Sequence, residues 1–272
     1  MTDLSHPAPR FSASDAEGLA KDFFNVSGTA TPLDGERDRN YRLQTGLDAG
    51  WILKIVNASE PRVESEFQTA LLDHLAVHGG HLGVPHLRAS VAGDYLPSVT
   101  GATGEKHAVR LVSWLAGTPL AEARRSLALM SNFGQALGEL DRALQGFMHP
   151  GAIRDLDWDL RHAARSRSRL HFIKSPERRA IVERFITQFE QPVQPRLASL
   201  RAQVIHNDAN DWNILVDAET TSTVTGFIDF GDAVHTVLIA EVAIASAYAI
   251  LDMDDPIGAA AALVAGFHEK YP

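Results

Sequence analysis

The chain has 272 residues, 45% hydrophobic and 22% charged, which is the balance of an ordinary globular protein able to bury a sizeable core. It contains no cysteine, which excludes disulfides, thiolate catalysis and cysteine-bound zinc and suits a reducing cytosol. A net charge of -9 argues against nucleic acid as a partner and suits a cationic substrate.

Met1 to Pro7 lack the basic and apolar regions of a signal peptide. The longest apolar stretches, Leu238 to Leu251 (interrupted by Glu241) and Ala259 to Phe267, fall short of a membrane span and predict buried helices. A cytoplasmic protein with no membrane partner is expected.

In chain order, Ser14-Asp15-Ala16-Glu17 has the form of a capping box and predicts a short helix with Ala16, Leu19, Ala20 and Phe23 on one face. The segment Pro32 to Asn40 reads as a polar, flexible loop before a strand at Tyr41 to Thr45, a turn at Asp48-Ala49-Gly50 and a second strand at Trp51 to Val56. Gly35 and Arg37 make that loop a candidate cover for nucleotide phosphates, although it lacks Gly-x-Gly-x-x-Gly; a solvated connection is the ordinary reading. Lys54 sits in a strand apolar on both faces, where an ammonium is costly unless paired. Phosphates and a helix glutamate would pair it. The next helix, Arg62 to Val77 with a stripe of Val63, Phe67, Ala70, Leu71 and Leu75, supplies Glu64 and Glu66, of which Glu66 is favoured. A snorkelling lysine on an edge strand is the alternative.

Tyr95 to Val99 and His107 to Trp114 predict a further hairpin, closing on a break at Gly117-Thr118-Pro119. The break divides a sheet lobe, residues 1–114, from a helical lobe, residues 115–272, and backbone groups of Val112 to Leu115, Val112 and Trp114 foremost, become candidates for binding a base. An ordinary interdomain connection is the competing reading. Beyond it Phe133, Leu137, Leu140, Leu144 and Phe147 form a helical core stripe that ends at His149-Pro150-Gly151. Asp157-Trp158-Asp159 reads as a helix start, or through Asp157 as a contact for a cationic substrate. The basic residues from Arg161 to Arg179 predict a solvated helix face, and Ile181, Phe185 and Phe189 stripe one more helix.

The densest chemistry lies between two apolar segments, Val204-Ile205 and Ile214-Leu215-Val216. There His206-Asn207-Asp208 and Asn213 give His-x-Asp-x-x-x-x-Asn, the spacing of a kinase catalytic loop. A strand from Val224 to Ile228 then delivers Asp229-Phe230-Gly231-Asp232, about 20 residues on, matching the metal-binding Asp-Phe-Gly element. In that chemistry Asp208 takes or orients the hydroxyl proton, Asn213 and Asp229 bind magnesium, and Lys54 holds phosphates. His206 is expected to brace the loop, Asn207 to take a left-handed backbone, and Trp212 to anchor the loop in the core. Asp211, Asp232 and Glu241 are candidates for a substrate pocket, or ordinary turn residues.

These residues resemble the aminoglycoside phosphotransferase and choline kinase superfamily, and within it proteins of the hydroxylysine kinase type. The resemblance rests on Glu36 to Tyr41, Ile52 to Ile55, Arg110 to Val112, Ala116 to Leu120, Asn210 to Leu215, Gly226 to Asp232 and Glu241 to Ala243, and so spans almost the whole chain. It implies an α+β, protein-kinase-like two-lobed fold and transfer from ATP or GTP, with Mg2+, to a hydroxyl of a small amino-bearing metabolite. A hydroxylysine-like acceptor comes first, with choline, ethanolamine, homoserine or an aminoglycoside as alternatives. The family's His-Gly-Asp is His206-Asn207-Asp208 here, and the chain stops at Glu269 to Pro272 where relatives continue with more helix. Because some relatives are fused to a class III aminotransferase, the chain is expected to be the front part of such a protein. A nucleotide-binding pseudokinase is disfavoured because no catalytic part is missing. A metal-dependent hydrolase would leave Lys54 without a role.

Overall fold

A computed structural model of the chain describes residues 8–35, 37–46, 50–220 and 222–272. Met1 to Pro7, Glu36 and the Asp48-Ala49 part of the expected turn lie outside the described residues. The architecture is mixed α+β in two lobes. Helix α1 (Ala13–Phe24) covers an antiparallel five-stranded sheet in the order β1-β2-β3-β5-β4, built from β1 (Thr29–Leu33), β2 (Arg39–Gln44), β3 (Gly50–Ile55), β4 (Ser98–Thr100) and β5 (Lys106–Ser113). Alternation gives the sheet two different faces. Tyr41, Leu43, Leu53, Ile55, Val109 and Leu111 pack against Ala16, Ala20 and Phe24 in one core. Ile52, Lys54, Arg110 and Val112 point the other way.

Three local expectations are corrected here. The cap of α1 is Ser12 rather than Ser14: its extended backbone lets its hydroxyl accept the Asp15 N–H at 3.1 Å while Asp15 accepts the Ser12 N–H at 2.7 Å. Glu17 is thereby free to accept the Ala30 N–H at 2.9 Å and tie the helix to the sheet. The supposed loop at Pro32 begins as strand β1, which tolerates a proline because it is an edge strand. The strand expected from Tyr95 starts only at Ser98, because Asp94 holds the Leu96 N–H at 2.8 Å in a turn.

The second core unites helix α2 (Arg62–His78) with helix α3 (Leu127–Ala143), helix α5 (Ile239–Ala249) and helix α6 (Pro256–Lys270). Phe67, Leu71 and Leu75 of α2 are buried in it, whereas Val63 of the same expected stripe is 40% exposed. Helices α3 and α6 approach closely because Gly134, Gly138 and Gly266 stand where they cross. Short strands carry the polar loops: β6 (Thr118–Pro119), β8 (Ile214–Val216) and β9 (Val224–Phe227) form one sheet, and β7 (Ala202–Ile205) pairs with β10 (Val234–Val237). Helix α4 (Pro176–Gln188) turns its expected stripe outward, Ile181 and Phe185 being exposed and Ile186 buried instead. No helix among the described residues is long and apolar enough to cross a membrane.

Candidate active site

Strand β7 ends at Ile205, and the next three residues bend sharply because Asn207 adopts a left-handed backbone, φ 64°. His206 is fully buried and locks this bend. Its Nε2–H donates to the Ile228 carbonyl at 2.9 Å, and its Nδ1 accepts the Asp208 N–H at 3.2 Å. One imidazole thus couples the Asp208 loop to the strand that delivers Asp229. The Asp208 carboxylate receives Asn210 Nδ2 at 2.9 Å and Asn213 Nδ2 at 2.7 Å. Burial first, then the neighbouring Asp232 and Asp229 charges, push its pKa up to about 6 against the opposing amide hydrogen bonds.

Asp229 follows β9 in a left-handed conformation, φ 57°, and its carboxylate accepts Lys54 Nζ at 3.2 Å and the Gly231 N–H at 3.2 Å. The Lys54 charge draws its pKa down to about 2 against the opposing effect of burial. Two carboxylates in one site are therefore given different proton affinities by their surroundings. Lys54, Asp208, Asn213 and Asp229 line a single cavity of about 790 Å³, which Gly35, Arg37 and Asp232 also reach. Arg37 pairs with Asp232 at 3.0 Å across the cavity mouth. A second cavity of about 630 Å³ shares Lys54 and Asp229 and is walled by Ile52, Val112, Trp114 and Leu215, an apolar slot of the kind that takes a planar base. The Ser113 and Trp114 N–H groups are already bonded to the carbonyls of His86 and Gly50.

Other candidates stand elsewhere. Glu66 is at the surface with Arg62, 2.9 Å away, and Glu64 is bound to Arg154 at 3.0 Å, so neither meets Lys54. The polar α2 residue that lines both cavities with Lys54 is Gln68, because the helix rotates Phe67, Leu71 and Leu75 into the core. Asp211 does not line the cavity but forms a buried ion pair with Arg125, which also donates to the carbonyls of Tyr248 and Leu251. Glu241 is fully buried behind the loop, accepting the Asn207 N–H at 3.1 Å. Asp157 is held by Arg169 at 2.7 Å, and its neighbour Trp158 faces the cavity instead. Trp212 does not anchor the loop in the core: it is 59% exposed and borders the apolar slot.

The two cavities also hold residues that the sequence left without a role, chiefly Asn210, Tyr248, Glu60 and Gln68 in the first and Arg110 in the second. Arg110 carried the same signal as Lys54, a cation inside an apolar strand. Tyr248 left none, since a single aromatic in a helical segment reads as packing, whereas Trp158 belongs to the acidic-aromatic element already noted.

A family model described as the phosphotransferase enzyme family matches residues 29–272. Hydroxylysine kinase from Xenopus laevis is 28% identical over 290 residues, covering 99% of this chain and 78% of that protein. Among solved structures, an amicoumacin kinase in complex with AMP-PNP, Ca2+ and Ami superposes with a TM-score of 0.73 at 14% identity, covering 96% of this chain and 79% of that one. A microcompartment-associated aminopropanol kinase gives 0.65 at 18% identity, covering 96% and 82%. At such identities the structural likeness concerns the fold.

Proposed function

The chain belongs to the phosphotransferase enzyme family, and from that premise we propose that it moves the γ-phosphate of ATP or GTP to the hydroxyl of a small amino-bearing metabolite, a hydroxylysine-like compound first. Phosphate transfer to an alcohol is the activity its relatives carry. The observation that carries the finer reading is the meeting of Lys54, Asp208, Asn213 and Asp229 on one cavity beside an apolar slot. In this proposal residues 1–114 hold the nucleotide and residues 115–272 the acceptor.

Phosphoryl transfer asks mainly for alignment and neutralised charge. Asp208, in van der Waals reach of the open cavity and fixed by two amides, receives the acceptor hydroxyl and takes its proton as the bond to phosphorus forms. Lys54 supplies a cation to the α- and β-phosphates once they replace Asp229 as its counter-charge. Asn213 spends its amide hydrogens on Asp208, which leaves its carbonyl oxygen, together with the ionised Asp229 carboxylate, as hard oxygen donors for Mg2+. That set fits the ion, because Mg2+ prefers oxygen donors and characteristically takes one or two from protein together with phosphate and water. When bound, the ion neutralises charge developing between the β- and γ-phosphates. Around Asp208 the cavity carries Asp232, Trp158 and Tyr248, acidic and aromatic surfaces suited to an ammonium.

A phosphate-transfer panel tests this. Hydroxylysine, choline, ethanolamine, homoserine and an aminoglycoside are offered with ATP and with GTP, and hydroxylysine is expected to give the highest kcat/KM. Asp208→Ala should lower kcat by about 100-fold or more with nucleotide binding retained, the range for loss of a positioned acid–base group. No transfer to any amino alcohol, or unchanged turnover in the variant, defeats the proposal.

A further inference from the structure

The sheet face that carries Lys54 holds a second cation with no role so far. In the β3–β5 register Ile52 opposes Val112 and Lys54 opposes Arg110, so the two pairs occupy successive rungs of one face, about 7 Å apart. The first rung is apolar and walls the base-sized slot; the second carries two positive charges. Lys54 has Asp229 as its counter-ion. Arg110 has none in contact among the described residues. Its side chain is 3% exposed, Nη2 donates to Gln68 Oε1 at 2.6 Å, and Nε and Nη1 have no hydrogen-bond partner, yet the residue borders the slot.

A desolvated guanidinium placed directly across from an ammonium is unfavourable in the free protein. The group that meets it from α2 is an amide, which aims the guanidinium without cancelling its charge. Of the acids of that helix, Glu64 pairs with Arg154, Glu66 pairs with Arg62, and Asp73 is exposed at the surface. Glu60, Asp38 and Asp229 act on Arg110 only through space, Glu60 being occupied with the Ser65 hydroxyl, Asp38 with the Asn57 N–H and Asp229 with Lys54.

We infer that Arg110, aimed by Gln68, is a second anchor for the nucleotide's phosphates beside Lys54. A base against the Ile52–Val112 rung brings its α- and β-phosphates to the next rung, where a guanidinium fork donates to two non-bridging oxygens. The inference rests on the nucleotide-dependent reading above and not on the identity of the acceptor.

Calorimetry without acceptor decides it, using adenosine and ATP (or guanosine and GTP, whichever pair the wild type prefers). Arg110→Met should lose about 10-fold or more in triphosphate affinity, the worth of a charge-assisted fork. Nucleoside affinity should stay unchanged and the melting temperature should stay near that of the wild type, since the guanidinium has no ion-pair contact to lose and its stem is replaced by an apolar one. Gln68→Glu keeps the guanidinium in place but cancels its charge, and should weaken triphosphate binding in the same direction. A wild type that prefers triphosphate to nucleoside, together with an unchanged preference in both variants, overturns this inference alone. So does an equal loss of both ligands in an Arg110→Met chain that melts lower, the mark of a packing role. A wild type with no preference for the triphosphate overturns the nucleotide reading and this inference with it.

Discussion

Asp208 and Asp229 are the same residue type in one cavity, yet burial lifts the first to about 6 and the Lys54 charge lowers the second to about 2. A carboxylate that must collect a proton works best with a pKa near the working pH, and one that holds a cation works best fully ionised. Because kcat/KM reports ionisations of the free enzyme, it should fall as pH drops through about 6, where Asp208 takes up its proton. Asp232 is one of the charges that raise Asp208, so Asp232→Asn should move this acid limb to lower pH. Initial rates at subsaturating substrate measure the limb; a limb that stays put in the variant would separate Asp208 from it. The pairing rearranged most by the fold is also at this scale. Glu66 was the expected partner of Lys54, but its place on the outer face of α2 gives it Arg62, and Gln68 looks inward.

At the scale of elements, helical crossing decides where side chains can exist. A Cβ on Gly134 would run into the Leu263 carbonyl oxygen, and one on Gly266 into the Ser131 carbonyl oxygen, so α3 and α6 touch backbone to backbone. Gly134→Ala should therefore cost about 1–3 kcal/mol by overpacking. Gly18, exposed in mid-α1 with nothing near its Cβ position, is the opposite case, and Gly18→Ala should gain about 0.5–1 kcal/mol from helix propensity. Urea unfolding of both variants checks the pair; equal and small shifts would mean that the crossing is looser than described. Elements also show where hydrophobic period misleads. Ile181 and Phe185 repeat as a core stripe should, but α4 lies at the margin of the molecule and presents them to solvent.

Across the whole molecule, the two lobes share the core around α2 and are tied further at the site by arginine contacts. Arg154, almost fully buried, donates to Glu64 of α2 at 3.0 Å and to the carbonyls of Gly231 and Ala233 at 2.5 and 2.7 Å. It links the helix beside the five-stranded sheet to the segment after Asp229. Arg154→Met leaves two carbonyls and a half-shielded carboxylate without donors and should destabilise the chain by roughly 3 kcal/mol. Combining it with Glu64→Gln should cost less than the sum of the two, because both remove one shared interaction. Denaturant unfolding of the double-mutant cycle tests this, and strict additivity would show that the contact does not couple the lobes.

The amino-acid sequence by itself determined the local chemistry. His206 to Asn213 and Asp229 to Asp232 are contiguous stretches whose function depends on residues a few positions apart, and the buried helices are contiguous apolar runs. The bracing role of His206, the left-handed Asn207 and the cores of α3 and α6 were legible for that reason. Only the tertiary structure decided which residue of α2 meets the sheet, that Asp211, Glu241 and Asp157 serve Arg125, Asn207 and Arg169 and not the cavity, and that Trp212 stands at the surface. Each of these depends on the rotation of one element against another distant in the chain, and a periodicity records that a helix has two faces without recording what each will touch.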